Sequence, residues 1–339
     1  MHDSWKREFK GLRRSKIRSR KLFWLGEEND DSIYAESCYR KIKWRKEVSM
    51  VKDTVRVASI QMKLVSESVK AREENLKRAL KIMEEAASMG AEIICLPELF
   101  LGAATVEKEP SSTVQVMRDF AREHRSYVIS NLYLFEQGEK YSVSHIIGPY
   151  GNIVGLYRKT HLFPWEHKFT KLKLGGDLPV FDTEHGKIGV LICQDAMVPE
   201  APRVLTLKGA EVIFVQSRMP GAFLVPWRDT MRVRAVENQV FIVSVGGAGY
   251  HACGTLMVAP RLINDIIVEA GKDEQVVSAT LNLEWLREMR QRKNQPLYFV
   301  RSVEDIRKGL EKVESYTFPL DRNPKLYHDL LKPHDPAEF

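Results

Sequence analysis

Three residues whose types could together carry out nucleophilic catalysis each follow a predicted strand: Glu98, Lys159 and Cys193. A cysteine thiolate attacks electrophilic carbon, a carboxylate can take the thiol proton, and a fixed ammonium group can hold the negative charge that develops. If the three strand ends converge, Glu98 is the expected base, Cys193 the nucleophile and Lys159 the cation. The predicted chemistry is attack of a thiol on a polarised carbon atom.

Each of these residues alone also has an ordinary structural explanation. A free cysteine is commonly a small buried core residue, and a lysine or glutamate beside a strand commonly lies in solvent or, for glutamate, caps a helix. Their occurrence together favours a catalytic role, because competing motifs are absent from the sequence. It contains no GxSxG, HExxH, Walker or GxGxxG pattern, and its nine histidines form no convincing set of metal ligands.

The cysteine lies at a predicted corner between a strand and a helix. Residues 187–192, which are apolar after Lys187, follow the turn signal His185-Gly186 and indicate a buried strand. Pro199-Glu200 then opens a helical pattern, with proline at a first-turn position where its missing N–H costs nothing. We therefore expect Cys193 to project beyond the strand end, where free backbone N–H groups favour a thiolate or an oxyanion.

The elements that must position these residues begin with a β-α-β unit. A strand at 55–62, a helix at 69–89 that Gly90 ends, and a buried strand at 91–96 indicate an α/β sheet. Two halves of similar β-α composition suggest two sheets packed between helices. Glu166 is predicted to lie in a loop. Further strands are expected at 127–135, 143–147, 153–157, 211–216, 241–245, 254–259, 265–269 and 276–281, and helices at 117–124, 201–208, 227–238 and 283–293.

Composition indicates a soluble globular protein in a reducing, cytoplasmic environment. The chain has 339 residues, of which 44% are hydrophobic and 29% charged. No apolar run approaches the roughly 18 residues that a membrane span needs. The four cysteines are far apart and form no CxxC pair, which argues against a disulfide framework or a zinc site.

The positive charge of the chain lies in its N-terminal part. Residues 1–52 contain 15 Lys and Arg against 8 Asp and Glu, which leaves 37 of each kind in the rest of the chain. The body therefore gives no charge-based reason to expect nucleic acid as a partner. We predict a basic N-terminal extension (1–52), a catalytic domain (53–294) and an extended, proline-bearing C-terminal arm (295–339).

Several motifs resemble the nitrilase (carbon–nitrogen hydrolase) superfamily. LPELF surrounds Glu98, YRKTHLF surrounds Lys159 and ICQDAMVPE surrounds Cys193, in the family's order and rough spacing. GGDLPVFDTEHGKIGVLIC before the cysteine and RAVEN after it are similar too. The resemblance covers about residues 55–285, and its motifs are highly specific in combination. It implies a four-layer αββα sandwich that forms homodimers or higher oligomers, without a metal or an organic cofactor.

The resemblance also implies a role for each candidate site residue. Glu98 would be the general base, Cys193 the nucleophile, and Lys159 would stabilise the tetrahedral intermediate together with the backbone N–H of Gln194. Glu166 matches a further family glutamate that helps to position the substrate and the base. The implied activity is that of an amidase on a small linear amide, through a thioester. The alternatives are a nitrile-hydrolysing, N-carbamoyl-hydrolysing or acyl-transferring relative, and a non-catalytic binding scaffold.

The sequence departs from the family pattern at positions that bear on the substrate. Gln194 stands where the family usually has tyrosine or tryptophan, and the segment between Glu98 and the strand at Tyr127 is shorter than usual. Arg218, in a predicted strand-end loop, Glu166 and the shortened segment after Glu98 together suggest a polar ligand, for which a carboxylate-bearing compound is one option. Arg218 could equally be a salt-bridged residue at the rim of the pocket.

Overall fold

The computed structural model describes residues 51–261 and 264–291, which form two β-sheets with helices on both sides. None of the helices in this part of the chain is both long and apolar enough to cross a membrane. The strands are β1 (Thr54–Gln61), β2 (Ile93–Cys95), β3 (Val106–Lys108), β4 (Tyr127–Glu136), β5 (Glu139–Ile147), β6 (Ile153–Arg158), β7 (Val180–Thr183), β8 (Gly186–Ile192), β9 (Val212–Gln216), β10 (Phe241–Val245), β11 (Leu256–Val258), β12 (Ile266–Glu269) and β13 (Gln275–Asn282). The α-helices are α1 (Arg72–Ser88), α2 (Ser112–His124), α3 (Pro164–Phe169), α4 (Glu200–Leu207), α5 (Leu224–Asn238) and α6 (Leu283–Gln291).

The two sheets share one pattern of strand directions. The first has the order β13-β1-β2-β4-β5-β6, with β3 also paired to β4, and the second has the order β7-β8-β9-β10-β11-β12. In each order the second, third and fourth strands are mutually parallel, and the other pairings along the order are antiparallel. The additional pairing of β3 with β4 is parallel. The predicted two similar halves are therefore present as two sheets of like topology.

Alternating side chains of the strands supply both faces of the first sheet. On β1, Val55 and Val57 face the second sheet and pack with residues such as Val190 of β8. Ala58 and Ile60 point the other way, against helices α1 and α2. This period of two buries both faces of the strand, which is typical of a sheet covered on each side.

Helices complete the outer layers of the sandwich. Leu76 and Met83 of α1 pack on the first sheet, while Leu205 of α4 and Met231 of α5 pack on the second. The helix–sheet, sheet–sheet and sheet–helix contacts bury the apolar surface of the core. At roughly 25 cal/mol per Å², this burial supplies most of the favourable free energy of folding. The predicted four-layer αββα architecture is confirmed.

Local differences from the predicted elements follow from short-range geometry. The predicted helix at 69–89 begins with a single 3-10 turn, Val69–Ala71, before α1. Strands β3 and β7 were not predicted, because three or four residues are too few for a periodic pattern to be recognised. The predicted C-terminal arm and all but the last two residues of the predicted N-terminal extension fall outside the described residues, so those boundaries remain predictions.

Candidate active site

The nucleophile candidate sits at a constrained turn directly after β8. Cys193 has φ +50°, in the left-handed region that side chains other than glycine seldom adopt. A short 3-10 segment, Cys193–Met197, follows it and leads towards α4. Such a conformation costs on the order of 1–2 kcal/mol and persists only when surrounding contacts fix it. Two sets of hydrogen bonds supply these contacts, one made by Asp195 and one made by helix α5.

The first set centres on Asp195, whose side chain is fully buried. It accepts hydrogen bonds from the Ile192 N–H at 2.9 Å and the Tyr157 hydroxyl at 2.7 Å. It also accepts from the N–H groups of His161 at 2.8 Å and Thr160 at 3.2 Å. Because Tyr157, Thr160 and His161 flank Lys159, this one carboxylate fixes the lysine segment to the cysteine turn.

The second set comes from α5 and involves the RAVEN motif. The Arg234 guanidinium donates to the carbonyl oxygens of Ala196 at 3.1 Å and Met197 at 3.2 Å. Glu237, one turn further along the helix, holds the same guanidinium at 2.8 Å. The motif therefore satisfies carbonyl groups of the cysteine turn that would otherwise lack partners.

The glutamate segment is held from both sheets. Leu99, at φ +50°, donates its N–H to Asn131 Oδ1 of β4 at 3.0 Å. From the second sheet, Gln216 Nε2 of β9 donates to the Leu96 carbonyl oxygen at 2.7 Å. Glu98 lies between these two anchors. Its position thus depends on the two sheets meeting in the correct register.

Lys159 forms a buried ion-pair cluster with two glutamates. Its Nζ lies 2.8 Å from Glu98 Oε1, and 2.8 and 2.9 Å from the two carboxylate oxygens of Glu166. Lys159, Glu98 and Glu166 are exposed by only 1%, 5% and 2%. Burial opposes the charged ammonium, but the charges of Glu98 and Glu166 outweigh it and raise the pKa of Lys159 well above its usual value. The lysine is therefore a permanent cation.

Glu166 lies in helix α3, so its predicted loop position is wrong. Pro164 occupies the first helical position, and Glu166 Oε2 reaches back to accept the Phe163 N–H at 2.7 Å. The sequence prediction missed this helix because it is only six residues long. Burial raises the pKa of Glu166, Lys159 lowers it and Glu98 raises it again, with a net upward shift.

The Cys193 thiol lies in the same electrostatic environment. Burial raises the pKa of this thiol well above its usual value, the charge of Glu98 raises it further, and Lys159 opposes both. The free site therefore holds a thiol next to a carboxylate that can accept its proton.

These four residues line one cavity of about 380 Å³. Tyr133 of β4 lines it too. Its hydroxyl is buried and has no hydrogen-bond partner among the described residues. Burial, followed by the charges of Glu98 and Glu166, raises the pKa of this phenol, so it remains neutral. Nothing in the sequence distinguished Tyr133 from an ordinary core aromatic residue of a buried strand.

The other two predicted site residues occupy different places. Arg218 lines the cavity and is ion-paired with Glu67, so the salt-bridged alternative for this residue is the one observed. Gln194 follows Cys193 in the turn, and its side chain is not among the described residues that line the cavity. Its predicted contribution is that of its backbone N–H, which follows the nucleophile directly.

Comparison with known proteins decides the family. A sequence model described as carbon–nitrogen hydrolase matches residues 56–291. The chain belongs to the carbon–nitrogen hydrolase family. It is therefore a hydrolase that acts on carbon–nitrogen bonds, as predicted. Within residues 51–261 and 264–291, no group of three His, Cys, Asp or Glu side chains is arranged to hold a metal ion.

Curated and solved relatives cover most of this domain. The omega-amidase NIT2 of Xenopus tropicalis is 32% identical over 244 residues, which cover 64% of this chain and 86% of the relative. A nitrilase of Pyrococcus abyssi is 31% identical over 254 residues, covering 70% and 93%. The crystal structure of Saccharomyces cerevisiae Nit3 matches with a TM-score of 0.64 at 26% identity, covering 75% of this chain and 98% of Nit3. The first of these relatives is named an omega-amidase, the second a nitrilase, and the third a member of the nitrilase superfamily.

Proposed function

We propose that the chain is an amidase that hydrolyses a small linear amide through a thioester on Cys193. The observation that carries this proposal is the single cavity in which Cys193, Glu98, Lys159 and Glu166 meet, in a chain that belongs to a carbon–nitrogen hydrolase family. Relatives named omega-amidase support an amide as the substrate.

In the first half of the proposed reaction, Glu98 takes the thiol proton as the Cys193 sulfur attacks the amide carbon. The carbonyl oxygen becomes an oxyanion, which the ammonium of Lys159 and the N–H of Gln194 stabilise. Glu98 then gives the proton to the leaving nitrogen, the C–N bond breaks, and ammonia or an amine departs. An acyl thioester remains.

In the second half, Glu98 takes a proton from water, and the resulting hydroxide attacks the thioester carbon. Collapse of this intermediate breaks the C–S bond, releases a carboxylic acid and returns the proton to sulfur. Glu166 keeps its hydrogen bonds to Lys159 throughout and so fixes the orientation of the ammonium group. No cofactor is needed to balance these steps.

A covalent-intermediate experiment tests the proposal. A panel of ω-amides, N-carbamoyl compounds and small nitriles is screened for ammonia release, and the enzyme is examined by intact-mass spectrometry during turnover. We expect an acyl adduct on Cys193 and no turnover by Cys193→Ala. Cys253→Ala, which removes a buried cysteine outside the cavity lining, is the control and should retain the adduct. Wild-type turnover by Cys193→Ala would refute the assignment of the nucleophile.

Nitrile hydrolysis is the second candidate, because one relative is named a nitrilase. The same thiol can attack a nitrile carbon, and the screen separates the two activities by the substrate that releases ammonia.

The homodimer, the cytoplasmic location and the limits of the catalytic domain remain predictions.

A further inference from the structure

The described wall of the cavity contains five charged residues (Glu67, Glu98, Lys159, Glu166 and Arg218) and three uncharged polar ones (Tyr133, Cys193 and His251). The rest of this wall is apolar. The remaining lining residues are Leu99, Ala103, Phe163, Met219, Pro220 and Phe223. Binding an uncharged acyl chain against this surface buries apolar area and is favourable. A carboxylate placed there would lose its hydrating water and find no hydrogen-bond donor to replace it. Whether a charged acyl chain can bind therefore depends on the cations of the cavity.

Arg218, the cation that could meet such a carboxylate, is already occupied. Its Nη2 is ion-paired with Glu67, and its Nη1 donates to the Leu99 carbonyl oxygen at 3.3 Å. The Arg218 side chain is only 9% exposed, whereas that of Glu67 is 47% exposed, so Glu67 lies on the solvent side of the pair. The Ala103 N–H also donates to Glu67 at 2.8 Å and fixes it there.

His251 adds no positive charge beside this pair. Its Nδ1 lies 2.9 Å from the Arg218 carbonyl oxygen, which only accepts hydrogen bonds, so Nδ1 carries the proton. Nε2, 3.4 Å from Arg218 Nη2, then accepts from the guanidinium. Burial and the charge of Arg218 lower the pKa of His251, which keeps the ring neutral. The histidine therefore accepts a hydrogen bond from Arg218 Nη2, which leaves this nitrogen less available to a ligand.

The other cation of the described wall, Lys159, is held by Glu98 and Glu166. Three carboxylates thus face two cations, each of which already has a carboxylate partner. Tyr133, whose hydroxyl has no partner among the described residues, is uncharged. A substrate carboxylate would meet an excess of negative charge, and an uncharged chain would not.

We propose that the Glu67–Arg218 pair makes this site selective for amides with an uncharged acyl chain and excludes amides whose chain ends in a carboxylate. This inference rests on the proposed amidase function and deepens it by naming the substrate class. It reverses the expectation that Arg218 signals a carboxylate-bearing ligand. Specificity here comes from a repulsive element, the carboxylate of Glu67, as well as from the apolar wall.

The test compares two amides of equal length and different charge. Glutaramate carries a terminal carboxylate, and glutaramide replaces it with a second amide group. For the wild type, kcat/KM for glutaramide, corrected for its two equivalent ends, should exceed that for glutaramate by about 100-fold or more. Glu67→Gln keeps the side-chain shape and leaves the guanidinium without its anionic partner, so the ratio should fall by about tenfold or more.

A matched variant controls for the loss of one negative charge. Glu123→Gln makes the same change on the exposed face of α2, outside the cavity lining, and should leave the ratio at its wild-type value. A wild type that hydrolyses glutaramate as well as glutaramide would overturn the inference while leaving the amidase proposal intact. An unchanged ratio in Glu67→Gln would overturn it as well.

A second readout does not require turnover. Alkylation of Cys193 by neutral iodoacetamide and by anionic iodoacetate is followed by intact mass, relative to a free small thiol at the same pH. We expect a preference for the neutral reagent beyond that of the free thiol, and Glu67→Gln should reduce it. If no amide of the substrate panel is hydrolysed but this preference holds, the amidase proposal fails and the charge selection stands. Equal relative rates would reject the charge selection.

Discussion

At the scale of single residues, the site separates two properties that are often treated as one, the ionisation of a thiol and its activation. Cys193 is buried beside Glu98 and Lys159, and burial raises the pKa of its thiol well above the usual range. A resting thiolate is therefore not the reactive form. The adjacent carboxylate must take the proton during attack, which makes Glu98 a base rather than a support for a pre-formed anion.

This distinction leads to a prediction for Glu98→Gln. Because the charge of Glu98 raises the pKa of the Cys193 thiol, its removal should lower that pKa, although burial still holds it up. Thiolate would then form at lower pH, yet turnover should fall by about 100-fold or more, since the base is lost. Ultraviolet absorbance of the thiolate, titrated against pH with the Cys193→Ala spectrum subtracted, measures the first effect, and ammonia release measures the second. A variant with a lowered thiol pKa and wild-type turnover would contradict the assigned base.

The residue types of the site could be inferred from the sequence, but two important neighbours could not. Glu98, Lys159 and Cys193 follow strands in recognisable motifs, and the structure places them together. Tyr133 and Glu67 gave no signal. A tyrosine inside an apolar strand looks like core, and a glutamate in a polar loop before a helix looks solvated. Their importance depends on what lies opposite them across the cavity, which the order of the chain does not show.

At the scale of elements, the site is assembled by connections between strand ends. The end of β6 and the end of β8 belong to different sheets, and the buried Asp195 binds both. Strand periodicity predicts each of these elements with its side-chain alternation. Periodicity does not predict which strand ends are joined. From the sequence alone, an aspartate two residues after a cysteine could equally be a helix cap or a turn residue.

Asp195→Asn tests this connection. Asparagine keeps the size of the side chain but presents an NH₂ group where the carboxylate accepted several hydrogen bonds, so buried N–H groups lose their partner. At about 1–3 kcal/mol for each unsatisfied group, we expect a loss of unfolding free energy of about 3 kcal/mol, and a lower kcat because Lys159 and Cys193 are no longer held together.

Asp182→Asn is the control for this change. Asp182 is 82% exposed and ion-paired with Lys187, and such surface pairs contribute little to stability. Thermal unfolding followed by circular dichroism, with kcat and KM measured on the same preparations, compares the two variants. Equal Tm and kcat in Asp195→Asn and the wild type would show that the two strand ends hold their positions without this carboxylate.

At the scale of the whole molecule, two sheets of like topology meet at their inner faces and leave the cavity at one end of that contact region. The sequence predicts two β-α halves without any detectable repeat, since equivalent strands share direction and burial rather than residues. The hydrogen bond from Gln216 of one sheet to the Leu96 carbonyl oxygen of the other shows how closely the site depends on the way the two sheets pack.

The basic N-terminal segment is expected to be dispensable for the chemistry. Residues 1–50 hold 14 Lys and Arg against 8 Asp and Glu, and none of the proposed site residues lies among them. Lys52 belongs to the body, because it contacts Glu92 at 3.0 Å and Glu184 at 3.4 Å, and accepts a hydrogen bond from Arg287 through its carbonyl oxygen. A truncation that removes residues 1–50 therefore keeps these contacts.

Deletion of residues 1–50 should leave kcat and KM for the best amide within about twofold of the full chain, because the cavity is lined by residues of the body. Salt-sensitive retention on an anionic matrix should weaken, since most of the net positive charge is removed and exposed charges act through a field that salt screens. A second truncation that also removes Val51 and Lys52 is the control for the body contacts, and the loss of such surface pairs should cost little. A shortened protein that is soluble and folded but inactive would require the N-terminal segment to complete the cavity.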